Sequence, residues 1–255
     1  MRLTTVGTGT IALSASRACA GHLVEAGAVR LLLDCGSGVA HRLATLEAPW
    51  REITHVAFTH FHLDHISDFA TLIYAWRYGA LPGRSAPLVL IGPVGTASLV
   101  GRLADAYGEW LRDAGFTIEI REIAPGERLD LGDGVGIQAQ KVPHTAESVA
   151  YSITRGGRRL VYTGDTAYDP MLGEWARGTD LLLCECSLPS AMAVPIHLTP
   201  QQCGALAAAA LPRHLVLTHF YPPVELTDIR GAVADHYAGP ISLASDGAVF
   251  EIEED

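Results

Sequence analysis

Along the chain, short apolar runs alternate with stretches of helical spacing, and glycines and prolines punctuate most of the changes. Leu3–Val6 reads as a short strand closed by the glycine turn Gly7-Thr8-Gly9-Thr10. His22–Glu25 and Val29–Asp34 read as a hairpin around Ala26-Gly27, stopped by Gly36-Ser37-Gly38, and Ser37–Leu46 has helical spacing. Ile53–Thr59 is a strand of buried type. Ile66, Phe69, Ala70, Ile73 and Trp76 share one helical face, which predicts a helix over Ile66–Tyr78. A strand over Leu88–Ile91, a helix over Gly95–Tyr107 and a strand over Phe116–Glu122 follow.

The second half continues the alternation. Gly136–Val142 is a strand, and Val149–Thr154 pairs with Arg158–Thr163 across Arg155-Gly156-Gly157, a tight-hairpin signal. After the strand Asp180–Cys184, Thr199-Pro200-Gln201-Gln202 opens a helix with Thr as N-cap, Pro at the first position and Gln at the third. Leu215–Thr218 is a strand, Asp228–His236 a helix, and Ile241–Ser245 with Val249–Ile252 a closing hairpin. Such alternation predicts an α/β fold with mixed sheets. Val56-Ala57-Phe58-Thr59-His60-Phe61 is echoed by Leu215-Val216-Leu217-Thr218-His219-Phe220. The echo suggests two related halves, each presenting a histidine where open sheets place ligands, at a strand's carboxyl end.

Composition narrows the function. With 49% hydrophobic and 18% charged residues in 255, the chain has enough apolar surface to fold, which excludes disorder. Lys and Arg number 18 against 28 Asp and Glu, and the net charge of −10 is the wrong sign for a nucleic-acid groove. The stretch after Met1-Arg2 is too polar for a signal-peptide core, so no targeting segment is expected, and the most apolar stretch, Cys203–Leu211, is far short of a membrane span. Five cysteines, an odd number, read as reduced thiols, so a cytoplasmic location is expected. Alternation sends Cys184 and Cys186 to one face of a strand, the core face.

The 11 histidines carry the chemistry. Thr59-His60-Phe61-His62-Leu63-Asp64-His65 places three histidines and an aspartate in His-x-His-x-Asp-His order. On the strand end His60 and His62 point the same way. As the chain turns into the following helix, Asp64 and His65 swing to the other side, so the motif can serve two cations. Imidazole and carboxylate are ligands that zinc accepts, and packing four such groups without a cation would leave polar atoms unsatisfied. His144, Asp165 and His219, each just past a strand, complete a seven-ligand set in which two cations share one carboxylate.

In these motifs the chain resembles the metallo-β-lactamase superfamily along essentially its whole length. The resemblance implies an αββα sandwich, one domain over residues 1–255 made of two pseudo-repeated halves that meet near 125–150. It implies that His60, His62 and His144 hold one metal, that Asp64, His65 and His219 hold the other, and that Asp165 bridges them. Gly7-Thr8-Gly9-Thr10, Leu33-Asp34-Cys35-Gly36-Ser37-Gly38, Glu185-Cys186-Ser187-Leu188 and His197-Leu198-Thr199 are similar to the ribonuclease Z-like branch. By itself His197 reads as a loop histidine; the resemblance makes it a catalytic group beside the metals, oriented by Glu185. Two features depart from true ribonuclease Z. The long tRNA-clamping arm is replaced by the short link at Arg155-Gly156-Gly157, and the chain is acidic. Asp68 stands where the branch more often has a small residue.

The expectation is therefore a metal-dependent hydrolase with two divalent ions, zinc first and manganese or iron as alternatives. It would act as a phosphodiesterase on a small nucleotide or related diester through a metal-bound hydroxide. Asp64 would orient or deprotonate the attacking water, and His197 with Glu185 would assist the leaving oxygen. A large RNA and a membrane are not expected partners, and a homodimer is implied by the family. A lactone or carboxyl-ester hydrolase, with Tyr168 or Tyr221 as its phenol, stands as the alternative, and an inactive metal-bound scaffold as a minor one.

Overall fold

The structure, a computed structural model, describes residues 1–253. In the first half the strands are β1 (Arg2–Gly7), β2 (Gly21–Ala26), β3 (Val29–Leu33), β4 (His55–Ala57), β5 (Leu88–Gly92) and β6 (Ile118–Glu122). The helices between them are α1 (Val39–Thr45), α2 (Leu63–Ile66), α3 (Phe69–Tyr74) and α4 (Thr96–Tyr107). The second half carries β7 (Arg128–Gly132), β8 (Val135–Lys141), β9 (Val149–Arg155), β10 (Arg158–Tyr162), β11 (Leu181–Glu185) and β12 (His214–Thr218). Its helices are α5 (Pro170–Trp175), α6 (Pro200–Ala210), α7 (Pro222–Glu225) and α8 (Ile229–Ala234), and β13 (Ile241–Leu243) and β14 (Ala248–Glu251) end the described fold.

Two seven-stranded mixed sheets result, ordered β14-β1-β2-β3-β4-β5-β6 and β13-β12-β11-β10-β9-β8-β7. Three apolar layers follow from the alternation of side chains along the strands. Leu31 and Leu33 of β3 meet Tyr151, Leu160 and Leu183 between the sheets. Leu32, Val56 and Leu90 face the other way, onto Leu43, Phe69, Ile73, Trp76 and Val100 of the first helical layer. Val161, Leu182 and Leu217 face Leu172, Leu206 and Val233 of the second. The architecture is the expected αββα sandwich. Strands β3–β6 run parallel, as do β10–β13, so both sets aim their carboxyl ends at one end of the sandwich.

Three local expectations need correction. The closing hairpin does not form: β13 pairs with β12 in one sheet and β14 with β1 in the other. Ser245-Asp246-Gly247 crosses between them, held where Asp246 accepts from Thr8 N, Ala18 N and Thr8 Oγ1. The single helix over Ile66–Tyr78 is instead α2, α3 and a wide turn of π-helix at Ala75–Gly79. It breaks at Asp68, whose N–H donates to Cys35 O and whose carboxylate accepts from Ala40 N at 2.9 Å. Asp68 thereby caps α1, whose own N-cap, Gly38, has no side chain to do so. Finally, β7, α5 and α7 were not foreseen, because Leu129 and Leu131 alternate too briefly and α5 and α7 are only 6 and 4 residues long.

Candidate metal centre

His60 follows β4, His144 follows β8, Asp165 follows β10 and His219 follows β12, so the parallel frame brings residues from both halves to one end. Close approach of the halves depends on Gly164, at φ +56°, where a Cβ would sit 2.8 Å from Thr59 Cβ. His219 itself adopts φ 60°, an uncommon and strained backbone for a non-glycine residue.

Ring nitrogens are assigned by what lies behind them. Asp34 can only accept, so His65 Nδ1 donates to its Oδ2 at 2.8 Å and Nε2 keeps its lone pair. Thr59 Oγ1 donates to the same Asp34 oxygen and so accepts from His60 Nδ1 at 3.1 Å. His144 Nδ1 donates to Ile196 O at 2.9 Å. Ser187 donates to Glu185 and accepts from His219 Nδ1 at 3.0 Å. Four Nε2 lone pairs are therefore turned inward, each fixed by a partner behind it, as metal-ligating imidazoles are.

They gather in two groups. His62 Nδ1 lies 3.1 Å from His60 Nε2 and 3.0 Å from His144 Nε2. Tetrahedral donors on bonds of about 2.0–2.1 Å would sit roughly 3.3 Å apart, so this spacing fits one small cation. The second group is Asp64, His65 and His219, with His219 Nε2 3.5 Å from Asp64 Oδ2. Asp165 lies between the groups. Its Oδ2 is 3.8 Å from His60 Nε2 and 3.7 Å from His144 Nε2, whereas its Oδ1 is 3.2 Å from His65 Nε2 and 3.3 Å from His219 Nε2. His65 Nε2, His219 Nε2 and Asp165 Oδ1 are buried without a hydrogen-bond partner. Such orphans are costly unless a cation joins them, so the residues fit divalent metal ions.

Charge in the site is strongly coupled to burial. Burial opposes ionisation of Asp165, but His219, His65 and His60 outweigh it and hold the carboxyl well below the usual range. Burial likewise opposes the Asp64 carboxylate, and without metal its contact with His219 and the protonated form of His65 bring it down to about 2. At His197 burial disfavours the imidazolium, yet the hydrogen bonds to Glu185, 3.2 Å from each oxygen, lift it to about 9. Glu185 is fixed in turn by Thr166 N, Ser187 Oγ and Leu198 N. The His197 ring is stacked at 5.6 Å on His219 and lies 5.0 Å from His144.

All nine predicted site residues thus converge. Their supports were not assigned from sequence: Asp34, Thr59 and Ser187 hold imidazole rings of the donor groups, and Lys141 holds the loop of His144. The Lys141 ammonium donates to Val142 O, Thr145 O and Ser148 O at 3.0, 2.6 and 3.2 Å, closing the loop that carries His144. A weak signal existed for two of them: Asp34 is an acid ending an apolar strand, and Ser187 stands two residues after Glu185. Of the alternative phenols, Tyr221 lies 6.1 Å from the His219 ring, and Tyr168 is exposed.

Comparison with known proteins agrees with the fold. A family profile described as "Beta-lactamase superfamily domain" matches residues 29–220. An uncharacterised protein of Mycobacterium leprae (strain TN) is 31% identical over 257 residues, covering 99% of this chain and 89% of that protein. Ribonuclease Z of Mycobacterium marinum (strain ATCC BAA-535 / M) is 31% identical over 276 residues, covering 96% of both. Among solved structures, the metallo-beta-lactamase fold protein YhfI of Bacillus subtilis superposes with a TM-score of 0.83 at 25% identity, covering 98% of each chain.

Proposed function

The chain belongs to the beta-lactamase superfamily and is a metal-dependent hydrolase of its ribonuclease Z-like branch, and on that premise we propose that it is a dinuclear phosphodiesterase of small substrates. The observation that carries the dinuclear part is Asp165, which offers one oxygen to each donor group. In this reading His60, His62 and His144 hold one cation and Asp64, His65 and His219 the other, with Asp165 shared. When bound, the cations, zinc in the first instance, would acidify a water and neutralise charge on the phosphoryl oxygens.

The protein's own groups do the rest. Asp64, ionised at any physiological pH, accepts a proton from the attacking water and aligns its lone pair. His197 has its Nδ1 committed to Glu185, which leaves Nε2–H to protonate the departing oxygen. Glu185 keeps that tautomer and never has to leave its three other donors.

Small substrates are favoured because β9 and β10 are joined by two glycines alone. Arg155 pairs with Arg158 in register, so no arm extends there to clamp a tRNA. The rest of the proposal concerns setting. The five cysteines are free and buried, which suits a reducing cytoplasm, and no helix of the described residues is long and apolar enough to cross a membrane. A homodimer is proposed on family grounds.

The test is a substrate panel on metal-reconstituted protein: bis(p-nitrophenyl) phosphate, 2′,3′-cyclic nucleotides, lactones and p-nitrophenyl acetate. Diester turnover that falls on the order of 10²-fold in kcat in His197→Ala is expected. Lactone turnover far above diester turnover, and intact in His197→Ala, would replace this reading with the ester-hydrolase one.

A further inference from the structure

The loops at the site end combine exposed apolar side chains with few cations. Ile11, Leu13, Leu63, Tyr168, Met192 and Ile196 are exposed there, on the loops and short helical turns that carry or adjoin the site residues. Leu63 precedes Asp64, Ile196 precedes His197, and the loop of Ile11 and Leu13 is tied to the site by the Gly9–Phe220 bridge, one residue from His219. Exposed apolar side chains carried on the segments that bear a reaction centre suit a recognition surface for apolar groups.

Cations are nearly absent from this rim. The loops that leave the carboxyl ends of β1, β3–β6, β8 and β10–β12 contain one arginine and no lysine. That arginine, Arg17, donates to Glu225, Thr8 Oγ1 and Ala244 O. Lys141, the last residue of β8, is turned inward onto three carbonyls. Glu127, Glu147, Asp169 and Asp228 lie in or next to the same loops. Arg42 of α1 lines the same cavity as Leu13 and Arg17, and it is paired with Asp246 at 3.0 Å, so these loops offer little uncommitted positive charge to a second phosphate.

We infer that the site selects diesters carrying a single phosphate flanked by neutral, largely apolar groups, and rejects substrates with a second phosphate beyond the reacting one. This rests on the phosphodiesterase reading and specifies its substrate class.

The test uses the metal-loaded protein and two substrates with one leaving group, thymidine 5′-(p-nitrophenyl phosphate) and the same ester bearing a 3′-phosphate. The second is expected to show kcat/KM at least about tenfold lower at low salt, a gap that shrinks as ionic strength rises. Leu13→Lys and Met192→Lys are each expected to narrow the gap by raising turnover of the 3′-phosphate ester, whereas Leu13→Ser raises KM for the ester without it. Equal or faster turnover of the 3′-phosphate ester overturns the inference and leaves the phosphodiesterase reading standing. No turnover of either ester at full metal loading overturns both. A change of oligomeric state in the lysine variants, read by sedimentation, would assign the apolar rim to contact between copies and overturn the inference too.

Discussion

The two donor groups meet at Asp165 but are built differently. The group of His60, His62 and His144 is all imidazole, it includes the exposed His62, and its supports are a threonine hydroxyl, a backbone carbonyl and a lysine-closed loop. The group of Asp64, His65 and His219 is buried throughout and carries a charge of its own. Behind His65 stands the carboxylate of Asp34, itself fully buried and bound by Thr59 N, Thr59 Oγ1 and Tyr162 OH. The orphaned atoms belong to the second group and to the Asp165 oxygen that faces it. The lesson is one of division: charge and burial favour tight retention in the second group, and neutral, more open donors favour exchange in the first.

The largest effect should come from removing what the groups share. Asp165→Ala is expected to lower diester kcat on the order of 10⁴-fold and to reduce bound metal below two ions per chain, read by elemental analysis. Next is Asp34→Ala, which should weaken the second group selectively, by roughly 10–100-fold in metal affinity, with His65 free to rotate. The complementary change is Lys141→Met. With the ammonium gone, the His144 loop loses three hydrogen bonds, and the first group should lose about tenfold in affinity while the second is unchanged. Stepwise zinc titration against a chromophoric chelator distinguishes the two variants. If both weakened the same step, the division between the groups would be wrong.

The smallest effect concerns a histidine outside both groups. His22 on β2 is fully buried against Tyr162, with neither ring nitrogen partnered, and burial brings it down to about 3. Its folded value lies below the unfolded one of about 6.5, so the unfolded chain takes the proton first and stability falls as pH drops from 6.5 toward 3. Between pH 6.5 and 5 the loss is about 2 kcal/mol. His22→Phe should flatten that slope in urea melts of the metal-free protein. An unchanged slope would place the acid sensitivity in the ligand histidines instead.

How much of this was legible in the sequence follows from where each signal resides. The donor residues that converge were readable because His-x-His-x-Asp-His is local, and because His144, Asp165 and His219 each follow an apolar strand. Alternation made an α/β fold with mixed sheets readable, the sandwich came from the resemblance to the superfamily, and the echo at His60 and His219 located the two strand ends that meet. Asp34 was readable as a strand end but not as a support, since its role depends on β3 and β4 being parallel neighbours. Lys141 carried no signal, because its three acceptors are backbone atoms. The splitting of Ile241–Ser245 from Val249–Ile252 was illegible for a related reason: two adjacent strands with a short link suit a hairpin locally, and only the free edges of β1 and β12 decide otherwise.

The most direct test of the central claim is anomalous diffraction from crystals of the zinc-loaded protein. The account predicts two zinc peaks per chain, one among His60, His62 and His144 and one among Asp64, His65 and His219, with one Asp165 oxygen turned to each. A single peak, or two peaks with Asp165 bound to only one of them, would contradict it.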